Sequence, residues 1–390
     1  MVSLAKRLDD IAPFYVMDIL SKAKALEASG KDIIHLEVGE PDSPDLPEVA
    51  KAGSDAILEG KTKYTTSTGL FELKLKLSEY YKKHFNTQID PQRIIITPGA
   101  SSGLMLALSL ILDPEDTMLI TQPGYPCNQH FIELLGSKHA SMPVDKTNQF
   151  TITESLLQKY WPNSLKGLLI ASPSNPTGTV LNNNQLALLS NHALKNDSQL
   201  IVDEIYQGLT YNNESITALS HSDQIIVINS FSKFFSMTGW RIGWIVVPEH
   251  MIEAADKLAQ NLYLSAPTPA QHAAIRALDD DCIEQFKART STFKARRDYL
   301  LPELKKLGFI IEQPCDGAFY IYADASKFTD NSMEFCKTLL DETGVAITPG
   351  VDFRGHNANQ MVRIAYTCDI PRLKQAVTRL SNCLQTTNKK

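Results

Sequence analysis

The sequence predicts an α/β fold, with a large domain built on a doubly wound, mostly parallel sheet and a smaller α+β domain. Three observations carry this. Between about residues 93 and 247, short apolar runs alternate with longer helical patterns. The runs are apolar at consecutive positions, as strands covered on both faces should be, rather than at every second one. Most of them end in polar or Gly/Pro-rich turns, which is where an open α/β sheet binds its ligands.

Along the chain, a short helix is expected from Val16 to Ser29, within a first segment of about 45 residues that packs on the small domain or reaches a neighbour. The strand candidates follow at Arg93–Thr97, Thr117–Thr121, Gly167–Ala171, Leu200–Asp203, Ile225–Asn229 and Ile242–Val247. Their closing turns, Thr97–Ser102, Gln122–Pro126, Ser172–Gly178, Asp203–Tyr206 and Ser230–Lys233, should converge on one crevice. Beyond about residue 280 a long charged helix, Ile283–Leu307, leads to strand pieces at Ala318–Tyr322, Val345–Thr348 and Met361–Tyr366, the pattern of an α+β unit. The predicted partition is 1–45 for an N-terminal arm and part of the small domain, 46–280 for the large ligand-binding domain, and 281–390 for the small domain. No repeat, low-complexity tract or Gly/Ser linker separates these parts, so they should pack closely.

Composition narrows the function. The 390 residues suit two or three domains, and 43% hydrophobic with 21% charged residues is an ordinary globular mix. Thirty-eight Lys and Arg against 44 Asp and Glu leave a net charge of −6, with no basic excess for a phosphate backbone, so nucleic acid is not the expected partner. The first residues lack the apolar core of a signal peptide, and no apolar run approaches the roughly 18 residues that span a bilayer. A cytoplasmic protein without a membrane partner is expected. Cys127, Cys282, Cys315, Cys336, Cys368 and Cys383 are scattered without a C-x-x-C pair and read as free thiols. The nine histidines show no metal-ligand spacing, so no metal is expected.

The chemistry lies in the turns. Lys233 follows an apolar strand within a run of Ser, Phe and Met, where desolvation disfavours its ammonium form and makes it a candidate Schiff-base nucleophile. Asp203, at the tip of another buried strand, is a charge in need of a cation, and a protonated pyridine nitrogen is one. Those are the two groups that pyridoxal phosphate asks of a protein. The loop Gly99–Ser102 runs straight into an apolar helix, so the backbone at Ala100, Ser101 and Ser102 forms a phosphate seat at a helix N-terminus. Arg241 can grip the same phosphate, with Ser230 and Ser232 donating hydroxyls. Tyr206 and Asn175 are expected on the cofactor's phenolate oxygen and Tyr125 on the pyridine ring.

Several stretches together resemble the class I aminotransferases of fold type I, which depend on pyridoxal phosphate. They are Pro173-Ser-Asn-Pro-Thr-Gly178, Val202-Asp-Glu-Ile-Tyr206, and Ser230-Phe-Ser-Lys233 through Met237-Thr-Gly-Trp-Arg-Ile-Gly243. Leu36-Glu-Val-Gly-Glu-Pro-Asp42, Lys63-Tyr-Thr-Thr-Ser-Thr-Gly69, Gly317-Ala-Phe-Tyr320 and Val362-Arg-Ile-Ala-Tyr366 add to the set. The likeness covers nearly the whole chain and is strongest to the bacterial aspartate aminotransferase-like branch. It implies the same roles for Lys233, Asp203, Tyr206, Asn175, Arg241, Ser230 and Tyr125. It also adds Arg363 for the substrate α-carboxylate, Gly39 for the backbone group beside that carboxylate, and Tyr64 for the phosphate of a neighbouring subunit in a homodimer with shared sites.

One departure concerns the substrate. Aspartate-specific members carry a lysine in the phosphate loop that helps bind the distal carboxylate, and here Ser101 stands at that position. A serine supplies no charge for a desolvated carboxylate, which argues against strict aspartate preference. A side chain from the segment of Phe14 and Tyr15 is expected to pack on a neutral donor, unless a cation such as Arg354 stands in for the lysine. The expected activity is ping-pong transfer of an amino group from an L-α-amino acid to a 2-oxo acid, 2-oxoglutarate or pyruvate. The same residues also suit a C–S β-lyase; the domain also occurs in regulators fused to a DNA-binding module, and a catalytically idle binding protein is a further alternative, against which the intact catalytic set argues. A fused regulator would need a helix-turn-helix ahead of the alignable region, for which the sequence leaves no room.

Overall fold

The consecutive apolar runs become six of the strands of a seven-stranded sheet. The computed structural model describes residues 2–9, 11–162, 164–212 and 215–387; the remaining positions of the three expected segments lie outside the described residues. The chain opens with α1 (Tyr15–Ala28), β1 (Ile34–His35), α2 (Pro47–Leu58), α3 (Phe71–Phe85), β2 (Ile94–Thr97) and α4 (Ala100–Ile111). It continues through β3 (Thr117–Gln122), α5 (Cys127–Leu134), β4 (Lys138–Pro143), α6 (Glu154–Tyr160), β5 (Leu165–Ala171), α7 (Asn183–Lys195), β6 (Gln199–Asp203), β7 (Ile226–Ser230) and β8 (Gly243–Val246). Helices α8 (Ile252–Leu262), α9 (Thr268–Ala277) and α10 (Asp280–Leu307) lead to β9 (Tyr320–Asp324), α11 (Ser332–Thr343), β10 (Val345–Ala346), β11 (Thr348–Pro349), β12 (Met361–Ala365) and α12 (Ile370–Thr387).

The large sheet has the order β2-β8-β7-β6-β5-β3-β4. Only β8 runs antiparallel to its neighbours; the other pairs are parallel. Alternate residues of each strand enter two different cores, which is why the runs are apolar throughout. Ile94, Ile96, Leu168, Ile170, Leu200 and Val202 pack on one face, while Ile95, Leu169, Ile201, Ile226 and Ile228 pack on the other with α4 and α8. Sequence reading misses β4. Its run Lys-His-Ala-Ser-Met-Pro is polar because this edge strand is partly exposed, unlike the buried edge strand β2, and its lysine and proline discourage further pairing.

Because β2, β5, β6 and β7 run the same way, their carboxyl ends at Thr97, Ala171, Asp203 and Ser230 share one rim, and the predicted turns meet there. Across that rim stands a three-stranded antiparallel sheet, β11-β12-β9, with Arg363 of β12 opposite Thr348 and Tyr322. The N-terminal segment joins this side through β1, which pairs in parallel with β10, and through α1, which packs on β11 and α11. Among the described residues no helix is long and apolar enough to cross a membrane.

Candidate active site

The rim turns and the small sheet enclose a cavity of about 350 Å³. Asp203 closes β6, almost fully buried, with one carboxylate oxygen accepting the Ile205 N–H at 3.0 Å. Among the described residues no cation pairs with it, and burial pushes its carboxyl up to about 7. Lys233 follows β7 in the turn begun by Ser230. Its ammonium donates to the Gly39 carbonyl at 2.6 Å, and burial lowers it to about 8. A carboxyl that lacks its cation and an amine close to neutrality thus stand in one cavity.

One end of the cavity is built by two turns. Gly99 caps the N-terminus of α4 with φ +80, and a Cβ there would fall 2.5 Å from Nη2 of Arg241. Glycine therefore serves twice, for the left-handed turn and for the arginine's approach. Arg241 itself has φ +53 and donates from Nη1 to the Thr238 carbonyl at 2.8 Å. Ala100, Ser101 and Ser232 line the cavity beside it. Ser230 does not: its hydroxyl donates to Oγ of Ser232 at 2.9 Å and lies behind it. Ser102 turns back to the Pro98 carbonyl at 3.3 Å, also off the cavity wall.

The opposite end centres on Arg363, only 3% exposed. Nη1 donates to Oδ1 of Asn175 at 3.0 Å, and Nη2 donates to Oγ1 of Thr348 at 3.1 Å and to the Glu37 carbonyl. Its plane lies between two rings, 4.3 Å from the centroid of Tyr320 and 4.9 Å from that of Phe353. Nε, although buried, has no protein partner. The Tyr320 hydroxyl meets that of Tyr206 at 2.8 Å, and a Cβ on Gly39 would overlap it, so only glycine fits at 39. Burial pushes the Tyr206 phenol well up, which keeps it a hydrogen-bond donor.

Tyr125 also lines the cavity, with Phe14 edge-on to it at 6.2 Å. Val16, Met17 and Leu20 of α1 join Phe14 in the wall, whereas Tyr15 does not. Tyr64 is 79% exposed and outside the cavity, and Arg354 is exposed and off its lining. Sequence reasoning left Tyr320 and Phe353 without roles, although Tyr320 stood in a motif it had singled out. Among the described residues no cluster of His, Cys, Asp or Glu is arranged to hold a metal.

The sequence profile of "Aminotransferase class I and II" matches residues 31–380. The chain belongs to this family of aminotransferases. A (5-formylfuran-3-yl)methyl phosphate transaminase of Methanocaldococcus jannaschii is 38% identical over 98% of this chain and 99% of its own. A valine–pyruvate aminotransferase of Mycobacterium tuberculosis is 34% identical over 96% and 97%, and an aspartate aminotransferase of Bacillus subtilis 34% identical over 98% and 99%. Among solved structures, an aminotransferase from Mycobacterium tuberculosis superposes with a TM-score of 0.95 at 33% identity, covering 99% of this chain and all of that one. The aminotransferase thus has the fold type I architecture and acts on amino acid and 2-oxo acid substrates. Members of the family use pyridoxal 5′-phosphate. The cavity's groups fit that cofactor: an amine, a buried carboxyl without a cation, and a glycine cradle at a helix N-terminus beside a guanidinium.

Proposed function

We propose that the enzyme passes the amino group of an uncharged L-α-amino acid to pyruvate or 2-oxoglutarate by a ping-pong cycle. One observation carries the reading of the substrate: three cations line the cavity, Lys233, Arg241 and Arg363, and each has a use. Arg363 binds the α-carboxylate, its free Nε being a donor still to be satisfied. Arg241, Ser232 and the N–H groups at Ala100 and Ser101 hold the cofactor phosphate, Ser230 supporting Ser232 from behind and Ser102 bracing the turn. Asp203 faces the ring nitrogen and keeps its proton, Tyr206 and Asn175 hold the phenolate oxygen, and Tyr125 packs on the ring. Pyridoxal phosphate, when bound, supplies a carbonyl carbon for the amino group and a ring that accepts electrons. The Lys233 amine, whose ammonium form burial disfavours, would take the proton from the donor's Cα and deliver it to the cofactor carbon that receives the amino group. Its contact with the Gly39 carbonyl keeps it on the side of the cavity that receives the α-carboxylate.

Among the described residues of one chain, no fourth cation lines the cavity for a distal carboxylate. Glu40 adds a negative charge, and Phe14, Val16, Met17 and Leu20 present apolar surface. The same count favours pyruvate over 2-oxoglutarate, in keeping with the name of the valine–pyruvate relative. The proposal extends to a cytoplasmic homodimer in which Tyr64, exposed on one chain, reaches the phosphate of the next. A donor panel of valine, leucine, phenylalanine, alanine and aspartate with each acceptor tests the reading. Turnover of an uncharged donor at least several-fold above aspartate is expected. Aspartate as the best donor would overturn it, as would pyruvate released from cystathionine with no 2-oxo acid added, which marks a C–S β-lyase.

A further inference from the structure

Helix α1 begins without a cap of its own. The capping position is Phe14, whose side chain has no hydrogen-bonding atom, and Pro13 precedes it. A helix start without Ser, Thr, Asp or Asn leaves its first N–H groups unsatisfied. The acceptor comes instead from the far end of the chain. Asp352, 4% exposed in the turn Gly350–Phe353, accepts from the Tyr15 N–H through Oδ1 and from the Val16 N–H through Oδ2, both at 2.9 Å. A carboxylate at this place also meets the positive end of the helix dipole. The helix so held gives the cavity Val16, Met17 and Leu20, and it carries Phe14 against Tyr125. The next residue of the same turn, Phe353, lies on the Arg363 guanidinium. One short turn therefore supports both the arginine and the apolar wall.

We propose that Asp352 is a positioning residue for donor selectivity, docking the start of α1 so that Val16, Met17 and Leu20 form the wall on which a long apolar donor side chain packs. This rests on the reading of an uncharged donor given above. Asp352 acts through the helix; without its carboxylate the Tyr15 and Val16 N–H groups have no acceptor, and α1 opens from its N-terminal end although the Met17 N–H still donates to the Phe14 carbonyl. Donors long enough to reach the wall then lose contact, while alanine, whose methyl group ends short of it, does not.

Asp352→Ala and Asp352→Asn, with pyridoxal phosphate bound, test this at a pH of about 8, where a carboxyl that burial holds near 6 is ionised. Amide exchange of the segment 11–22 should quicken about five-fold or more in Asp352→Ala and less in Asp352→Asn, which keeps one acceptor oxygen. KM for leucine or phenylalanine should rise about five-fold with kcat little changed, and KM for alanine should stay. Unchanged exchange in both variants, or equal rises for alanine and the long donors, would overturn the assignment. If Asp352→Ala fails to fold, Asp352→Asn carries the same two measurements. A wild type that turns over no apolar donor overturns the functional reading instead, and the exchange rates alone then decide whether Asp352 docks α1.

Discussion

Two arginines line the cavity, and the protein holds them in opposite ways. Arg241 stands in the turn before β8, exposed, and among the described residues its one hydrogen bond goes to a carbonyl three positions away. Arg363 is buried inside β12, bonded to Asn175, Thr348 and the Glu37 carbonyl, with an aromatic ring on either face. One contiguous turn makes the first; distant parts of the chain, up to 326 positions apart, make the second. Arg241 has donors left over for a ligand, and the fold does not depend on them. As the proposed ligand of the α-carboxylate, Arg363 is fixed in advance, so binding there would cost little ordering, while the arginine itself helps hold the walls together.

Between the two stands Lys233, and its loss should have the largest effect. Lys233→Ala is expected to lower turnover by at least about 10²- to 10⁴-fold, the range for a positioned acid-base group, while the protein still binds the cofactor. Equilibrium binding beside steady-state rates separates the two effects. Near-full turnover would remove Lys233 from the chemistry and leave the two arginines without the centre they are proposed to flank.

The arginines themselves give the sharper contrast. Arg363→Ala strands Oδ1 of Asn175, leaves the Glu37 carbonyl with the Thr348 hydroxyl alone, and opens a gap between two rings. A fall in kcat/KM of about a hundred-fold is expected, with a melting temperature lower by about several degrees in the cofactor-free protein. Arg241→Ala should weaken cofactor binding by about ten-fold and leave the cofactor-free melting temperature unchanged. If both variants lower that temperature alike, the contrast between a ligand arginine and a structural one is wrong.

The same contrast explains what could be read from sequence. Asp203, Asn175 and Lys233 lie at or just beyond the carboxyl ends of apolar strands and Arg241 just ahead of one, and a strand with its adjoining turn is a local pattern. The parallel sheet was legible for the same reason. Tyr320, Phe353 and Asp352 owe their places to the register of β9, β11 and β12 and to where α1 docks, which no local window contains. Arg363 itself was reached through resemblance rather than spacing. The edge strand β4 escaped because solvent exposure erased its apolar pattern.

Ser101 belongs to the Arg241 end, and its replacement tests the cation count there. Ser101→Lys should raise kcat/KM for aspartate relative to leucine by about five-fold, a modest gain because the position is exposed and the new charge stays partly solvated. An unchanged ratio would mean that the distal end of a donor lies elsewhere, beside α1 or toward Glu40.

The smallest effect expected lies behind Arg363. Glu37, whose carbonyl bonds that arginine, keeps its side chain fully buried against Nδ1 of His35 at 2.6 Å, and Glu27 meets Nε2 at 3.1 Å. The hydrogen bond that His35 donates to Glu37 is the main cause that raises His35 above its ordinary value of 6.5, against the opposing pull of burial. A group whose pKa is higher folded than unfolded adds stability that is complete below the unfolded value and is lost as pH rises through the folded one. The gap in melting temperature between wild type and His35→Gln should therefore be widest below about pH 6.5 and narrow as pH rises beyond it. Since the Glu37 backbone also holds Arg363, KM for the donor should drift upward over the same interval more in wild type than in His35→Gln, Asp203 and Lys233 titrating alike in both, while cofactor affinity at the Arg241 end differs little between them. A gap that is constant across this interval would show that His35 stabilises the fold without its charge, and that the arginine it stands behind does not depend on its protonation.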